Sequence, residues 1–230
     1  MTEVQGSPSW VVIGDLVASR RSTDRIRTHE RLVRVLTEVG EELAATGGVL
    51  VPLQVTAGDE FQGTFSSLGA ALSATLRVRL GLLPDADARC GVGFGRVVVL
   101  QEQPRVEDGP GWWAARAAIE RVEADADRSA LQGLRTRYVV APGTEPADAG
   151  PEGVVASDPA AVNAALITRD HLVSRLSPRS LSVLRGLLAG RTQKDLAGDL
   201  GITPSAVSQR VRSDGLAVLV AADELLGGLG

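Results

Sequence analysis

The chain has 230 residues, 44% of them hydrophobic, with a formal net charge of -4, one cysteine and two histidines. That length allows one ordinary domain plus a small one with a real core, and a single cysteine excludes an internal disulfide and a thiolate-rich zinc site. With His29 and His171 far apart, a histidine metal centre or a catalytic triad lacks material, so any metal must be held by carboxylates. No stretch of eighteen uncharged apolar residues occurs and Met1 to Pro8 lacks the pattern of a signal peptide, which predicts a cytoplasmic protein without membrane association. The net charge is unevenly spread. Ser177 to Arg212 holds six basic and two acidic residues, net +4, and the rest of the chain carries -8, so a polyanion would be drawn to that segment alone.

In chain order, Trp10 to Asp15 reads as a buried strand ending at a glycine and a carboxylate. Asp24 caps a helix to about Thr46, with Ile26, Leu32, Val35, Leu36, Val39 and Leu43 on one face, stopped by Gly47-Gly48. Val49 to Thr56 and Phe61 to Phe65 form a hairpin around Ala57-Gly58-Asp59-Glu60. Ser66 to Leu82 is helical, and Ala88 to Leu100 is a strand broken by Gly91, Gly93 and Gly95, with Cys90 a buried thiol inside it. The order βαββαβ is the ferredoxin-like plan, an antiparallel sheet with helices on one face. A turn at Asp108-Gly109-Pro110-Gly111 then leads into a helix from Trp112 to about Asp127. An edge strand at Arg137 to Val140, a loop at Ala141 to Pro151 and a helix at about Pro159 to Leu176 follow. The expected fold class is therefore α+β, a domain over residues 1–155 followed by an all-α domain over 156–230.

The last segment carries the clearest motif. Ser177-Pro178 starts a support helix with Leu181, Leu184, Leu187 and Leu188 on one face, ended by Gly190. Thr192 caps a helix over Gln193 to Leu200, Gly201 makes the turn, and Thr203-Pro204 starts another through Arg212. Ala197, Gly201 and Val207 fall where a helix-turn-helix needs a small residue, a left-handed turn and an apolar plug. On that reading Ser205, Ala206, Ser208, Gln209 and Arg212 face the major groove of double-stranded DNA, and Arg210 and Lys194 touch phosphate. A helical hairpin for protein contact is the plainer reading. The segment resembles helix-turn-helix modules of sigma-factor region four and LuxR-type regulators. Leu216 to Leu226 is too apolar to stand uncovered, so it docks on the N-terminal domain or pairs with its copy in a homodimer.

At the other end, the plan brings Asp15 near Asp59 and Glu60, and three converging carboxylates call for a hard divalent cation, magnesium completed by substrate phosphates. The plainer readings are that Gly58-Asp59 is a common hairpin turn and that Asp15 pairs with Arg20, Arg25 or Arg89. The glycines at 91, 93 and 95 are not followed by a helix, which argues against a dinucleotide-binding fingerprint. Val12 to Arg20, Ala57 to Gly63, Arg89 to Gly95 and Asp108-Gly109-Pro110 together resemble the SatD family. The middle motif is also similar to the diguanylate cyclase signature, and the Arg89 segment to a strand of class III nucleotidyl cyclases. That resemblance implies a palm-like core with Asp15, Asp59 and Glu60 as magnesium ligands and Arg20, Arg89 and Arg116 as nucleotide contacts. Gly111 to Arg116 resembles the cyclase helix whose arginine stabilises the transition state, which makes Arg116 the candidate catalytic residue. Trp112 stands where that helix has asparagine. The function expected is a DNA-binding regulator whose palm-like domain binds a nucleotide signal with magnesium. The alternatives are a nucleotidyl transferase or cyclase with an accessory helix-turn-helix, and a protein-binding adaptor.

Overall fold

The computed structural model describes residues 6–17, 24–126, 128, 131–144 and 156–230. Five strands run along one path in the order β2 (Val49–Ala57), β3 (Glu60–Phe65), β1 (Ser7–Leu16), β4 (Ala88–Glu102) and β5 (Arg105–Asp108), with β6 (Thr136–Val140) also paired to β4. The first four give the ferredoxin-like arrangement, all antiparallel, but β6 lies parallel to β4 and makes the sheet mixed. β4 continues unbroken through its three glycines, and β5 adds a short hairpin partner.

Helices cover both faces, which corrects the expectation of one covered face. α1 (Arg25–Ala44) and α2 (Leu68–Leu82) pack on the face formed by Trp10, Val12, Leu16, Phe61, Phe65, Val92 and Phe94. α3 (Pro110–Ala126) packs on the other, against Val11, Ile13 and Val97. The glycines decide this. A Cβ at Gly91 would sit 2.2 Å from the Ala115 carbonyl oxygen, and one at Gly93 would sit 2.3 Å from the Ala115 nitrogen. They are a docking stripe for α3, the close backbone approach that glycine in a strand allows.

Asp24 caps α1 by accepting from the Arg27 amide. Ile26, placed by periodicity on the apolar face of α1, is 76% exposed, because the first turn overhangs the sheet end. α2 is buried almost all round, as its nearly uniform apolar composition demands. The sheet covers one side, and α1, α5 (Pro178–Leu188) and α8 (Leu216–Gly227) cover the rest, with Arg169 of α4 (Pro159–Ser174) donating to the Leu72 carbonyl. Leu76 and Leu80 of α2 belong to one apolar cluster with Leu181, Leu184, Leu196, Val207, Leu216 and Leu219. The helices after residue 156 therefore share a core with the sheet domain and do not stand apart from it.

Polar contacts reinforce that junction. Arg31 donates to the Gly81 and Leu83 carbonyls, and Arg185 of α5 to those of Leu80 and Leu83. Together they satisfy the open carbonyls and negative end of α2. The edge of β6 is closed by α4: the Asn163 side chain accepts from the Tyr138 amide at 2.9 Å and donates to its carbonyl at 2.8 Å, like a strand neighbour. Asp170 accepts from the Arg135 and Thr136 amides at 2.8 and 2.6 Å.

Part of the final apolar segment is covered within the chain. Leu216, Leu219 and Leu226 are buried, and the Gly69 amide donates to the Leu229 carbonyl at 2.8 Å. Val218 and Leu225 remain exposed. Among the described residues, no helix is long and apolar enough to cross a membrane.

Candidate functional site

Two strands and a helix build the candidate site at the end of β1. Gly14 pairs with Phe61 and Asp15 with Arg89 in the two registers that flank β1. A Cβ on Gly14 would lie 2.2 Å from the Phe61 ring, so glycine before the aspartate is a packing requirement. Side chains alternate across a strand, which turns Asp15, Glu60 and Arg89 toward α3 while Leu16, Phe61 and Cys90 face α1 and α2.

The bidentate partner of Asp15, among the three arginines considered from sequence, is Arg89. Its Nε and Nη2 donate to the two carboxylate oxygens at 2.6 and 3.0 Å. The third edge of the same guanidinium meets Glu123 of α3 at 3.0 Å. Glu60 pairs with Arg116 at 3.5 Å, both side chains about half exposed. Burial pushes the Asp15 carboxyl above its usual range, Arg89 pulls it back, and the Asp59 charge adds a smaller upward push. Arg89 is held more firmly protonated, chiefly by its hydrogen bonds to Asp15. Burial raises the Cys90 thiol strongly, the state of an inert core cysteine.

Asp59 lies in the β2–β3 turn, where Gly58 has φ +62°. It borders a cavity of about 290 Å³ on the α1 side of the strand end, lined by Leu16, Arg25, Ile26, Thr28, His29, Leu32 and Gly58. The structure thus sets Asp15 and Glu60 on one face and Asp59 at the rim between the faces. Among the described residues no group of three His, Cys, Asp or Glu side chains is placed to hold a metal ion. With both Asp15 oxygens taken by Arg89 and Glu60 paired to Arg116, the donor set as folded does not fit magnesium. Arg20 lies outside the described residues.

Sequence reasoning missed Glu123, weighed Arg25 only as a partner for Asp15, and set His29 aside as a histidine without a metal-site partner. Glu123 stands seven residues after Arg116, two turns along α3, and that spacing puts both on one face. Trp112 is half-buried against the α3 core, and exposed Trp113 donates from Nε1 to Asp108 at 3.0 Å.

In the helical region, Ser177 accepts from the Ser180 amide and Thr192 forms a capping box with Asp195. Gly201 turns with φ +62° between α6 (Gln193–Leu200) and α7 (Pro204–Ser213). Ala197 and Val207 are buried between the helices. Lys194, Ser205, Ala206, Gln209 and Arg212 are exposed, and Ser208 is half-buried, accepting from Arg212 at 2.8 Å. Arg210 is turned inward: its Nη1 reaches Ser180 at 3.0 Å and Asp214 at 3.4 Å, which is where its charge is used.

The sheet order, the helices on both faces and the carboxylate-bearing strand end define a mixed α+β domain with a ferredoxin-like core, continued by a helical region. The chain belongs to the SatD family, whose sequence profile matches residues 10–136. No curated protein matches the sequence. Among solved structures it is similar to the catalytic core of a rhodopsin-guanylyl cyclase in complex with ATPalphaS, at 16% identity and TM-score 0.41 over 50% of this chain and 73% of that one. A bacterial light-regulated adenylyl cyclase matches at 16% identity and TM-score 0.42, over 60% and 44% of the two chains. The active GGEEF domain of a diguanylate cyclase from Vibrio cholerae matches at 9% identity and TM-score 0.40, over 59% and 83%.

Proposed function

We propose that the palm-like part of this chain binds a nucleotide at the end of β1. The observation that carries this is the cavity beside the Asp59 turn: buried Leu16 and Leu32 give it an apolar floor for a base, exposed Ile26 an apolar lip, and Arg25 and His29 line its rim for phosphates. At about 290 Å³ the cavity lies just below the roughly 300–1,000 Å³ of ligand pockets. Arg116, paired to Glu60 on the α3 face, does not line this cavity and is not counted among its phosphate contacts. Arg89 is committed to Asp15 and serves to position it.

Thermal unfolding of the full chain with each nucleoside triphosphate tests the reading, with product sought by mass spectrometry in the same samples. A ligand-dependent rise in Tm is expected, and Arg25→Ala should weaken binding by about 1.5–3 kcal/mol, the worth of a charged hydrogen bond. No shift with any nucleotide contradicts the reading. Product lost in Asp59→Ala would make the chain a nucleotidyl transferase or cyclase rather than a sensor. Trp112, in place of the cyclase asparagine, favours the sensor.

A second reading concerns the helical region: α6 and α7 form a helix-turn-helix that binds double-stranded DNA, making the protein a nucleotide-responsive regulator. The observation favouring it is the exposed face of α7, where Ser205, Ala206, Gln209 and Arg212 stand clear of the core that Val207 and Val211 fill. Lys194 on α6 adds a phosphate contact, while Arg210 is not counted among them. Against an operator selected from random duplexes, Arg212→Ala and Gln209→Ala should each cost about 1–3 kcal/mol at fixed salt. Unchanged affinity in both contradicts the groove assignment and leaves the helix pair as a protein contact.

A further inference from the structure

Three carboxylates on the α3 side of the strand end, Asp15, Glu60 and Glu123, are met by two guanidiniums, those of Arg89 and Arg116. Arg89 is the better held. Its backbone lies opposite Asp15 in the β1–β4 register, so its side chain rises beside the carboxylate from the neighbouring strand. It closes on both Asp15 oxygens at 2.6 and 3.0 Å, a fork-to-fork pair. Glu123 takes the remaining edge at 3.0 Å, so the guanidinium is wedged between two anions from opposite layers. Asp15 and Arg89 are each only 21% exposed. A divalent ion seeking Asp15 would have to displace a charged, bidentate and largely buried partner. Glu60, the next carboxylate on that face, is paired to Arg116.

We infer that Arg89 is the resident cation of this site, holding the position at Asp15 that a divalent metal would need, and that the native chain therefore binds no divalent ion through Asp15. The small glycines around it make this possible. With Gly91 and Gly93 drawing α3 onto β4, Glu123 comes within reach of Arg89 and locks it from above. The role is electrostatic and positional: Arg89 removes the repulsion that a carboxylate near Asp59 and Glu123 would otherwise feel, by a built-in charge. The inference is independent of the nucleotide reading, because the metal alone is its probe.

The test is Mn²⁺ binding to the full chain without nucleotide, followed by paramagnetic enhancement of water proton relaxation. Wild type and Asp15→Asn should give the same signal, and Arg89→Gln should gain a site. The expected gain in affinity is on the order of 10- to 100-fold, the range over which groups beside a ligand tune a metal site. Asp15→Asn on the Arg89→Gln background should abolish that gain. Mn²⁺ binding by wild type that Asp15→Asn removes would overturn the inference, as would a folded Arg89→Gln with no new site. Should Arg89→Gln fail to fold by circular dichroism, the comparison of wild type with Asp15→Asn still decides.

Discussion

Replacing Asp170 by alanine is expected to lower the unfolding free energy by about 3–5 kcal/mol, the cost of removing one partner from a buried ion pair. Asp170 is fully buried. Its carboxylate faces Arg79 at 3.3 Å and Arg169 at 3.6 Å, and accepts from the amides of Arg135 and Thr136. Arg79 and Arg169 are each 2% exposed. After the truncation Arg79 keeps Asp87 at 2.9 Å, but Arg169 keeps only the Leu72 carbonyl and the hydroxyls of Thr75 and Thr136. Two backbone amides lose their acceptor as well. Denaturation in urea should show the midpoint falling with little change in slope. Asp170→Asn, which retains one acceptor oxygen and the shape, should lose less. A loss under about 1 kcal/mol in Asp170→Ala would mean that this network does not fasten α4 to the sheet.

The second large effect is expected at Gly93. A Cβ there would meet the Ala115 nitrogen at 2.3 Å and the Gly111 carbonyl oxygen at 2.4 Å. Both are backbone atoms of α3 and cannot rotate aside, so Gly93→Ala must lift the helix, at a cost of about 1–3 kcal/mol or more. Because Glu123 and Arg116 ride on α3, the lift also disturbs their pairs with Arg89 and Glu60. Gly198→Ala is the control: a Cβ there has open space in the α6 helix, and alanine should stabilise by up to about 1 kcal/mol. Equal stability of Gly93→Ala and wild type would show that α3 does not depend on the glycine stripe.

What could be read from sequence was what local pattern encodes. The apolar run from Trp10 to Ile13, the Gly58-Asp59 turn and the capped helices around Gly201 each state their element in a few neighbouring residues. The helix over α2 was read from its pattern, and its burial on almost every side emerged only with the helices packed around it. The face taken by α3 was misread because Gly91, Gly93 and Gly95 look locally like strand breakers, and their use appears only once a helix some twenty residues later lies across them. Periodicity also placed Ile26 in the core, because it cannot show that the first turn of α1 overhangs the sheet.

The candidate site was legible in its residues and less so in its pairings. Arg20, Arg25 and Arg89 were equal as partners for Asp15 until the β1–β4 register set Arg89 opposite it. Arg79 and Asp170 lie 91 residues apart, and a buried ion pair across that separation leaves no local trace. Arg210 looked like a phosphate contact by its place on α7; the inward turn toward Ser180 and Asp214 depends on how α5 packs.

Calorimetric titration of the full chain with GTP and ATP, once in EDTA and once in Mg²⁺, tests the central claim most directly. Saturable one-site binding in EDTA, weakened by Arg25→Ala, is the predicted result. Absence of saturable binding under both conditions contradicts the nucleotide site itself. Binding that appears only with Mg²⁺ and vanishes in Asp15→Asn would leave the site standing and overturn the part given to Arg89.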